Sequence, residues 1–232
     1  MTEILLTTLN ARYIHATLGL RYLYANMGAL QAHTALREFT IAQRPLEIAE
    51  QLLAEQPRII GIGVYVWNAR ESEELVALLK CLAPEVTIVL GGPEVSHEWQ
   101  AQAIVSLADY LITGQGDLAF AELCSQLLAQ QPPPQRVIHA RTPHPDKLAL
   151  PYAYYQDEDL AQRVVYVEAS RGCPFKCEFC LSALDRTVVP FSLTRLLPAL
   201  AQLHQRPHVF FGGNHVELDV GFFNFLAGLG VG

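Results

Sequence analysis

Through residue 131, short aliphatic runs alternate with amphipathic stretches of helical period, and no other property of the chain constrains its fold as tightly. Glu3–Thr8, Arg37–Ile41, Arg58–Val66, Thr87–Leu90 and Tyr110–Thr113 are rich in β-branched or aliphatic residues and end in polar or glycine-bearing turns. That is the pattern of strands buried on both faces. Between them Leu18–Leu30, Pro45–Glu55, Ala69–Leu82, His97–Leu107 and Leu118–Ala129 read as helices. Strands separated by such helices make βαβ units, and right-handed crossovers turn these into an open α/β domain over 1–131, with a five-stranded parallel sheet covered on both faces.

In open parallel sheets, ligands bind outside the carboxyl ends of the strands. The loops there are distinctive. Leu9-Asn10-Ala11-Arg12-Tyr13-Ile14-His15 follows the first strand and Tyr65-Val66-Trp67-Asn68 the third; Gly91-Gly92-Pro93-Glu94-Val95-Ser96 follows the fourth and Gly114-Gln115-Gly116-Asp117 the fifth. Paired glycines let backbone approach a ligand closely, and a helix N-terminus beyond them can hold a phosphate. Taken alone, each glycine pair equally suits an ordinary strand-to-helix turn, and Tyr13 and Trp67 equally suit large residues covering the end of a sheet. No Gly-x-Gly-x-x-Gly follows the first strand, which disfavours a nicotinamide or flavin dinucleotide.

Charge and location narrow the class further. The chain carries 16 Lys and Arg against 23 Asp and Glu, a net charge of −7, so no broad nucleic-acid surface is expected. Its richest apolar run, Ile59–Trp67, is far short of the roughly 18 residues of a membrane span. The start of the sequence shows neither a basic n-region nor a small-residue cleavage site, so the expected location is cytoplasmic, without membrane attachment. In that reducing compartment the odd count of five cysteines argues against a disulfide framework. Cys81 and Cys124 fall in helical stretches and are expected in the core.

Gln130-Gln131-Pro132-Pro133-Pro134-Gln135 reads as a semi-rigid linker, and 132–162 as an irregular connector rich in proline and tyrosine. Arg163–Ala169 is predicted to be a strand opening into a cysteine loop. A helix over Leu193–Gln205 and a strand Val209–Phe211 begin a second α/β array within 163–232. In Ser170-Arg171-Gly172-Cys173-Pro174-Phe175-Lys176-Cys177-Glu178-Phe179-Cys180, three thiols are close enough to converge on one inorganic centre. Thiolates favour iron–sulfur clusters or zinc, and three ligands leave a coordination position open for chemistry. A structural zinc completed by His144, His208 or His215 is the alternative.

Cys173-x-x-x-Cys177-x-Phe179-Cys180 resembles the cluster motif of the radical S-adenosylmethionine enzymes. Tyr166–Gly172, Pro174-Phe175, Gly91-Gly92-Pro93 and Gly114-Gln115-Gly116-Asp117 resemble the subset with an N-terminal cobalamin-binding domain. The resemblance implies a Rossmann-like cobalamin domain followed by the first βα units of a radical S-adenosylmethionine partial barrel. It implies that Cys173, Cys177 and Cys180 hold a 4Fe-4S cluster whose fourth iron binds S-adenosylmethionine, with Phe179 against the adenine. Gly212-Gly213-Asn214 stands where many of these enzymes have Gly-Gly-Glu-Pro to catch the cofactor amino group; Asn214 can accept a hydrogen bond but lacks the charge. Cobalamin is expected at Tyr13, Trp67, Gly91, Gly92, Pro93, Glu94, Ser96, Gly114 and Gly116, with its nucleotide tail toward Gly91–Ser96. His15 lies in Ile14-His15-Ala16-Thr17-Leu18-Gly19 rather than in Asp-x-His-x-x-Gly, so it is not expected on cobalt.

The implied activity is reductive cleavage of S-adenosylmethionine to a 5′-deoxyadenosyl radical. A flavodoxin or ferredoxin would donate the electron, the substrate is unknown, and the reactions the resemblance implies include methyl transfer to unreactive carbon and ring rearrangements. At about 30 residues per βα unit, Arg163–Gly232 holds only the first two units of such a barrel, so an incomplete catalytic domain is expected and no catalytic residue is assigned. The rival readings are a non-catalytic cobalamin and iron–sulfur module, and a Cys3His structural zinc protein.

Overall fold

The structure is a computed structural model that describes residues 2–173, 175, 177–178, 187–206 and the strand 216–218. The chain forms two compact units, one of Met1–Tyr13 with Gly19–Pro143 and one of Ile14–Leu18 with His144–Gly232.

In the first unit, β1 (Ile4–Asn10) is buried along its whole length, as a strand flanked by strands and covered on both faces must be. β2 (Thr34–Thr40) pairs on one side of it and β3 (Ile59–Gly63) on the other; β4 (Thr87–Gly91), β5 (Tyr110–Thr113) and β6 (Val137–His139) extend the sheet beyond β3. Every pairing is parallel. The order β2-β1-β3-β4-β5-β6 reverses its direction of growth at β1, which makes the carboxyl ends of β1 and β3 the topological switch point.

Side-chain alternation splits the core in two. Leu5, Leu9, Ile60, Ile62, Ile88 and Leu90 pack with Ile48 and Leu52 of α2 (Pro45–Ala54) and with Leu75 and Leu79 of α3 (Ala69–Leu82). Ile4, Leu6, Ile59, Val89 and Ile112 pack with Leu20 of α1 (Leu18–Ala25) and with Phe120, Leu123 and Cys124 of α5 (Ala119–Leu128). Each fully buried aliphatic side chain contributes about 1.5–3 kcal/mol, which is why these strands read as continuous apolar runs. Gly61 admits the Phe120 ring: a Cβ there would stand 2.7 Å from two ring carbons.

Four expectations are corrected. The sheet has six strands, because Val137–His139 pairs with Leu111–Thr113; three residues following a run of prolines carry too little alternation to read as a strand. The first predicted helix stops at Ala25, and a 3-10 helix spans Gly28–His33, with Gly28 at φ +55°. The stretch predicted as one helix over 97–107 is a 3-10 turn, Trp99–Ala101, and a short α4 (Ala103–Leu107). Cys124 is buried as expected, its thiol pushed up to about 12 by burial, but Cys81 is exposed because it falls off the Ser72–Leu75–Val76–Leu79 stripe of α3.

In the second unit, β7 (Val165–Val167) pairs in parallel with β10 (Val216–Leu218), and β8 (Ser170–Arg171) pairs antiparallel with β9 (Val189–Pro190). α6 (Asp157–Gln162) starts with a capping box between Gln156 and Asp159, and α7 (Leu193–His204) buries Leu196, Leu200 and Leu203. The connector is tied down by tyrosine hydroxyls that donate to one carbonyl and accept from the same residue's N–H: Tyr155 at Tyr166 (2.8 and 3.1 Å) and Tyr152 at Glu168 (2.9 and 3.0 Å). Each hydroxyl thereby does for β7 what a neighbouring strand does for a sheet edge. The predicted strand Val209–Phe211 lies outside the described residues.

Candidate functional site

At the switch point the chain must turn from β3 into α3 within five residues, 64–68. The backbone N–H of Asn68 donates to the Tyr65 carbonyl (3.0 Å), and the Asn68 Oδ1 accepts from the Tyr65 N–H (2.8 Å), so one residue grips Tyr65 at both ends. Asn68 is wholly buried, and its Nδ2 donates to the Leu9 carbonyl (2.9 Å), Thr8 Oγ1 (3.1 Å) and the Gly63 carbonyl (3.2 Å). Thr8 Oγ1 in turn donates to Gly63 (2.7 Å). The turn so held stacks Tyr65 on Trp67, with ring centroids 4.6 Å apart and planes 7° from parallel. Trp67 is 46% exposed and Val66 76%, while Tyr65 is half-buried beneath them. Tyr13, on the β1 loop, is 49% exposed.

Beneath this edge lies an ion pair. Glu38 of β2 accepts from Arg21 of α1 (2.9 Å) and from Asn10 of β1 (3.1 Å), with side-chain exposures of 3% for Arg21 and 6% for Glu38. Burial and, after it, the Glu38 charge hold the Tyr65 phenol above its ordinary value. The phenol therefore stays protonated through the neutral range.

The two glycine loops interlock. Gly92 sits at φ +112°, and a Cβ there would collide with the Val64 carbonyl oxygen and lie 2.9 Å from its nitrogen and 3.1 Å from its carbonyl carbon. Only glycine fits. Val64 donates to the Gly91 carbonyl (2.8 Å) and accepts from the Glu94 N–H (3.4 Å). Ser96 Oγ donates to the Gly92 carbonyl (2.7 Å) and accepts from the Gly114 N–H (3.1 Å), joining the loop after β4 to the loop after β5. Gly91, Gly92, Glu94, Ser96 and Gly114 are thus brought together, with Pro93 inside the turn that Ser96 closes by donating to its carbonyl (3.3 Å). Gly116 belongs instead to the start of α5, where its carbonyl accepts from Phe120 (2.9 Å).

In the second unit, Gly172 at φ +89° lies against the Thr187 carbonyl, leaving no room for a Cβ, and opens the cysteine loop. Arg171 and Glu168 pair at 3.2 Å behind it. Cys173 is half-buried and Cys177 exposed, both as free thiols. Cys180, Phe179, Gly212, Gly213 and Asn214 lie outside the described residues, as do His208 and His215. His144 accepts from the Asp146 N–H at 3.3 Å, and His15 is hydrogen-bonded through Nδ1 to the Tyr166 hydroxyl at 2.6 Å. Among the described residues, no three His, Cys, Asp or Glu side chains are grouped to hold a metal.

Sequence reasoning passed over Asn68, Thr8, Glu38 and Arg21. The signal for Asn68 was its place directly after an aromatic pair and before a helix, where a short polar side chain competes for backbone groups.

Residues 4–124 match the family described as B12 binding domain. The chain is 28% identical over 149 residues to 2-(S-pantetheinyl)-carbapenam-3-carboxylate methyltransferase of Streptantibioticus cattleyicolor, covering 53% of this chain and 22% of that protein. It is 27% identical over 153 residues to the cobalamin-dependent radical SAM methyltransferase TokK of Streptomyces tokunonensis, covering 54% and 22%. The similarity thus spans about a fifth of either relative's length. The radical S-adenosylmethionine methyltransferase TsrM of Kitasatospora setae, solved with cobalamin and a 4Fe-4S cluster bound, shares the fold with a TM-score of 0.61 at 14% identity, over 88% of this chain and 46% of that one. No helix among the described residues is long and apolar enough to cross a membrane. The matched segment runs from β1 into α5 and takes in the switch point and both glycine loops: the chain belongs to the B12-binding domain family.

Proposed function

We propose that this chain binds cobalamin along the carboxyl edge of its six-stranded sheet and serves a cobalamin-dependent radical S-adenosylmethionine methyltransferase. The observation that carries the reading is the interlocked pair of glycine loops. Gly92 lets the loop after β4 seat on the Val64 backbone as no other residue could, and Ser96 holds Gly92 and Gly114 together next to the turn that carries the Tyr65–Trp67 stack. A backbone-lined edge next to a broad aromatic face suits a large, flat ligand with a polar tail. Gly91–Ser96 and Gly114 would hold the tail, and Tyr13 and Trp67 would meet the body. When bound, cobalamin supplies a carrier for a methyl group.

In the same reading, Cys173, Cys177 and Cys180 hold a 4Fe-4S cluster that takes S-adenosylmethionine, fed by a flavodoxin or ferredoxin in the cytoplasm. Gly172, which leaves no room for a Cβ, and the Arg171–Glu168 pair would fix the start of that loop. Free thiols at Cys173 and Cys177 fit a thiolate-ligated group.

Hydroxocobalamin titrated into the full chain, followed by its visible spectrum, tests the first part. Saturable binding that weakens about tenfold in W67A is expected, and a spectrum unchanged by protein overturns the reading. Anaerobic reconstitution with iron and sulfide tests the second. About four irons per chain, lost in C177A, are expected; one tight zinc with no iron uptake overturns the cluster.

A further inference from the structure

We propose that Asn68 is the positioning residue of this edge: its buried carboxamide sets the geometry of the Tyr65–Trp67 face and thereby how tightly that face takes cobalamin. The inference rests on the cobalamin reading above.

Past Val64, whose N–H still donates to the Gly91 carbonyl (2.8 Å), and before Asn68, whose carbonyl accepts the first bond of α3 from the Ser72 N–H (2.8 Å), the chain crosses from strand to helix through residues 65–67. The turn 65–68 is closed from both sides by one residue, since the Asn68 N–H donates to Tyr65 and its Oδ1 accepts from Tyr65. Its Nδ2 reaches back to Leu9, Thr8 and Gly63, so the turn is referenced to the ends of both switch-point strands. Val66 and Trp67 occupy the two central positions and are carried outward, and the Tyr65 ring is left under the indole. The hydroxyl end of Tyr65 lies over Gly19, where a Cβ would stand 3.3 Å from it. Asn68 is wholly buried, so its effect on a ligand is exerted through the residues it holds, and in this proposal through Tyr65 and Trp67.

The chemistry of the carboxamide makes the role separable from simple packing. Both a donor and an acceptor are needed in one small group. Substitution N68D keeps the shape and the acceptor for Tyr65 but sets an anion against the Leu9 and Gly63 carbonyls. It therefore releases the turn without opening a cavity.

The experiment uses the full chain in a W99F background, where Trp67 is the one remaining tryptophan. Near-ultraviolet circular dichroism of the Trp67 band reports the stack without any ligand, and hydroxocobalamin titration reports affinity. N68D is expected to lose most of the Trp67 band and to bind about tenfold more weakly, whereas W67A and W67A/N68D bind alike. A Trp67 band and affinity unchanged by N68D overturn the proposal, and so does an equal loss of affinity from N68D with or without Trp67. If N68D does not fold, N68S is read by the same criteria, since its hydroxyl keeps an acceptor near Tyr65 but cannot span to the strand ends. If the parent chain binds no hydroxocobalamin, the cobalamin reading fails, and the Trp67 band alone decides whether Asn68 positions the face.

Discussion

Replacing Gly92 by alanine strikes a backbone position where the functional edge tolerates no side chain. At φ +112° an L-residue sits in territory that glycine alone occupies, at a cost of about 1–3 kcal/mol. The added methyl also meets the Val64 backbone, and relieving that collision separates Val64 from Gly91 and Glu94, two hydrogen bonds worth about 1 kcal/mol each. G92A is therefore expected to lose about 3–5 kcal/mol of stability in urea titrations followed by far-ultraviolet circular dichroism. Gly114 provides the internal control. Its φ of +79° is also left-handed, but the nearest atom to an added Cβ is the Ala140 carbonyl oxygen at 3.3 Å, so G114A should lose only about 1–2 kcal/mol. If G92A unfolds within about 1 kcal/mol of the parent chain, or no earlier than G114A, the loop does not have the tight seat on Val64 that the argument requires.

Two further outcomes follow from the groups beneath this edge. The Tyr65 phenol is held above 10.0 in the folded chain, chiefly by burial and then by Glu38, so below that pH both folded and unfolded states carry the proton and the contribution is constant. As pH rises past 10.0 the unfolded chain releases its proton first, and stability falls until the folded phenol also ionises. Urea midpoints measured above that pH should decline more steeply in the parent chain than in Y65F, and parallel declines would sink the assignment. For the Arg21–Glu38 pair, E38A alone should cost about 3–5 kcal/mol because it takes the carboxylate away from a buried guanidinium, whereas R21M/E38L should cost much less. A double variant as unstable as E38A would show that the charge itself is not what matters.

Strands β1, β3, β4 and β5 were legible because burial on both faces demands uninterrupted apolar runs, and a run such as Ile4-Leu5-Leu6 admits few alternatives. β6 was not, since its three residues gain their strand character only from pairing with Leu111–Thr113. The glycine loops could be singled out because Gly92 announces its conformation by being glycine, but their interlock through Ser96 depends on a contact across 18 positions of sequence. The value of Asn68 lies in partners up to 60 positions away, and that of the β2 residue Glu38 in an arginine on helix α1; a polar residue in a strand or starting a helix carries no local mark of such company. Cys81 shows the reverse failure, where helical context suggested burial and the phase of the apolar stripe placed the thiol in solvent.

The aromatic face and the glycine cradle are held by the same few peptides. Gly63 accepts from Asn68 and Thr8, Val64 pairs with Gly91 and Glu94, and Tyr65 is gripped by Asn68, so three consecutive residues carry the constraints of both halves of the edge. A displacement of Val64 forced by a methyl at position 92 is transmitted directly to Tyr65, its covalent neighbour, and loosening Tyr65 gives Val64 room to yield to that methyl. The two perturbations are then coupled rather than independent. In G92A/N68D the stability loss should fall short of the sum of the single losses by about 1 kcal/mol or more, because the turn released by N68D absorbs part of the collision. Strict additivity would mean that β3 isolates the cradle from the aromatic face, and that the edge is two adjoining sites rather than one.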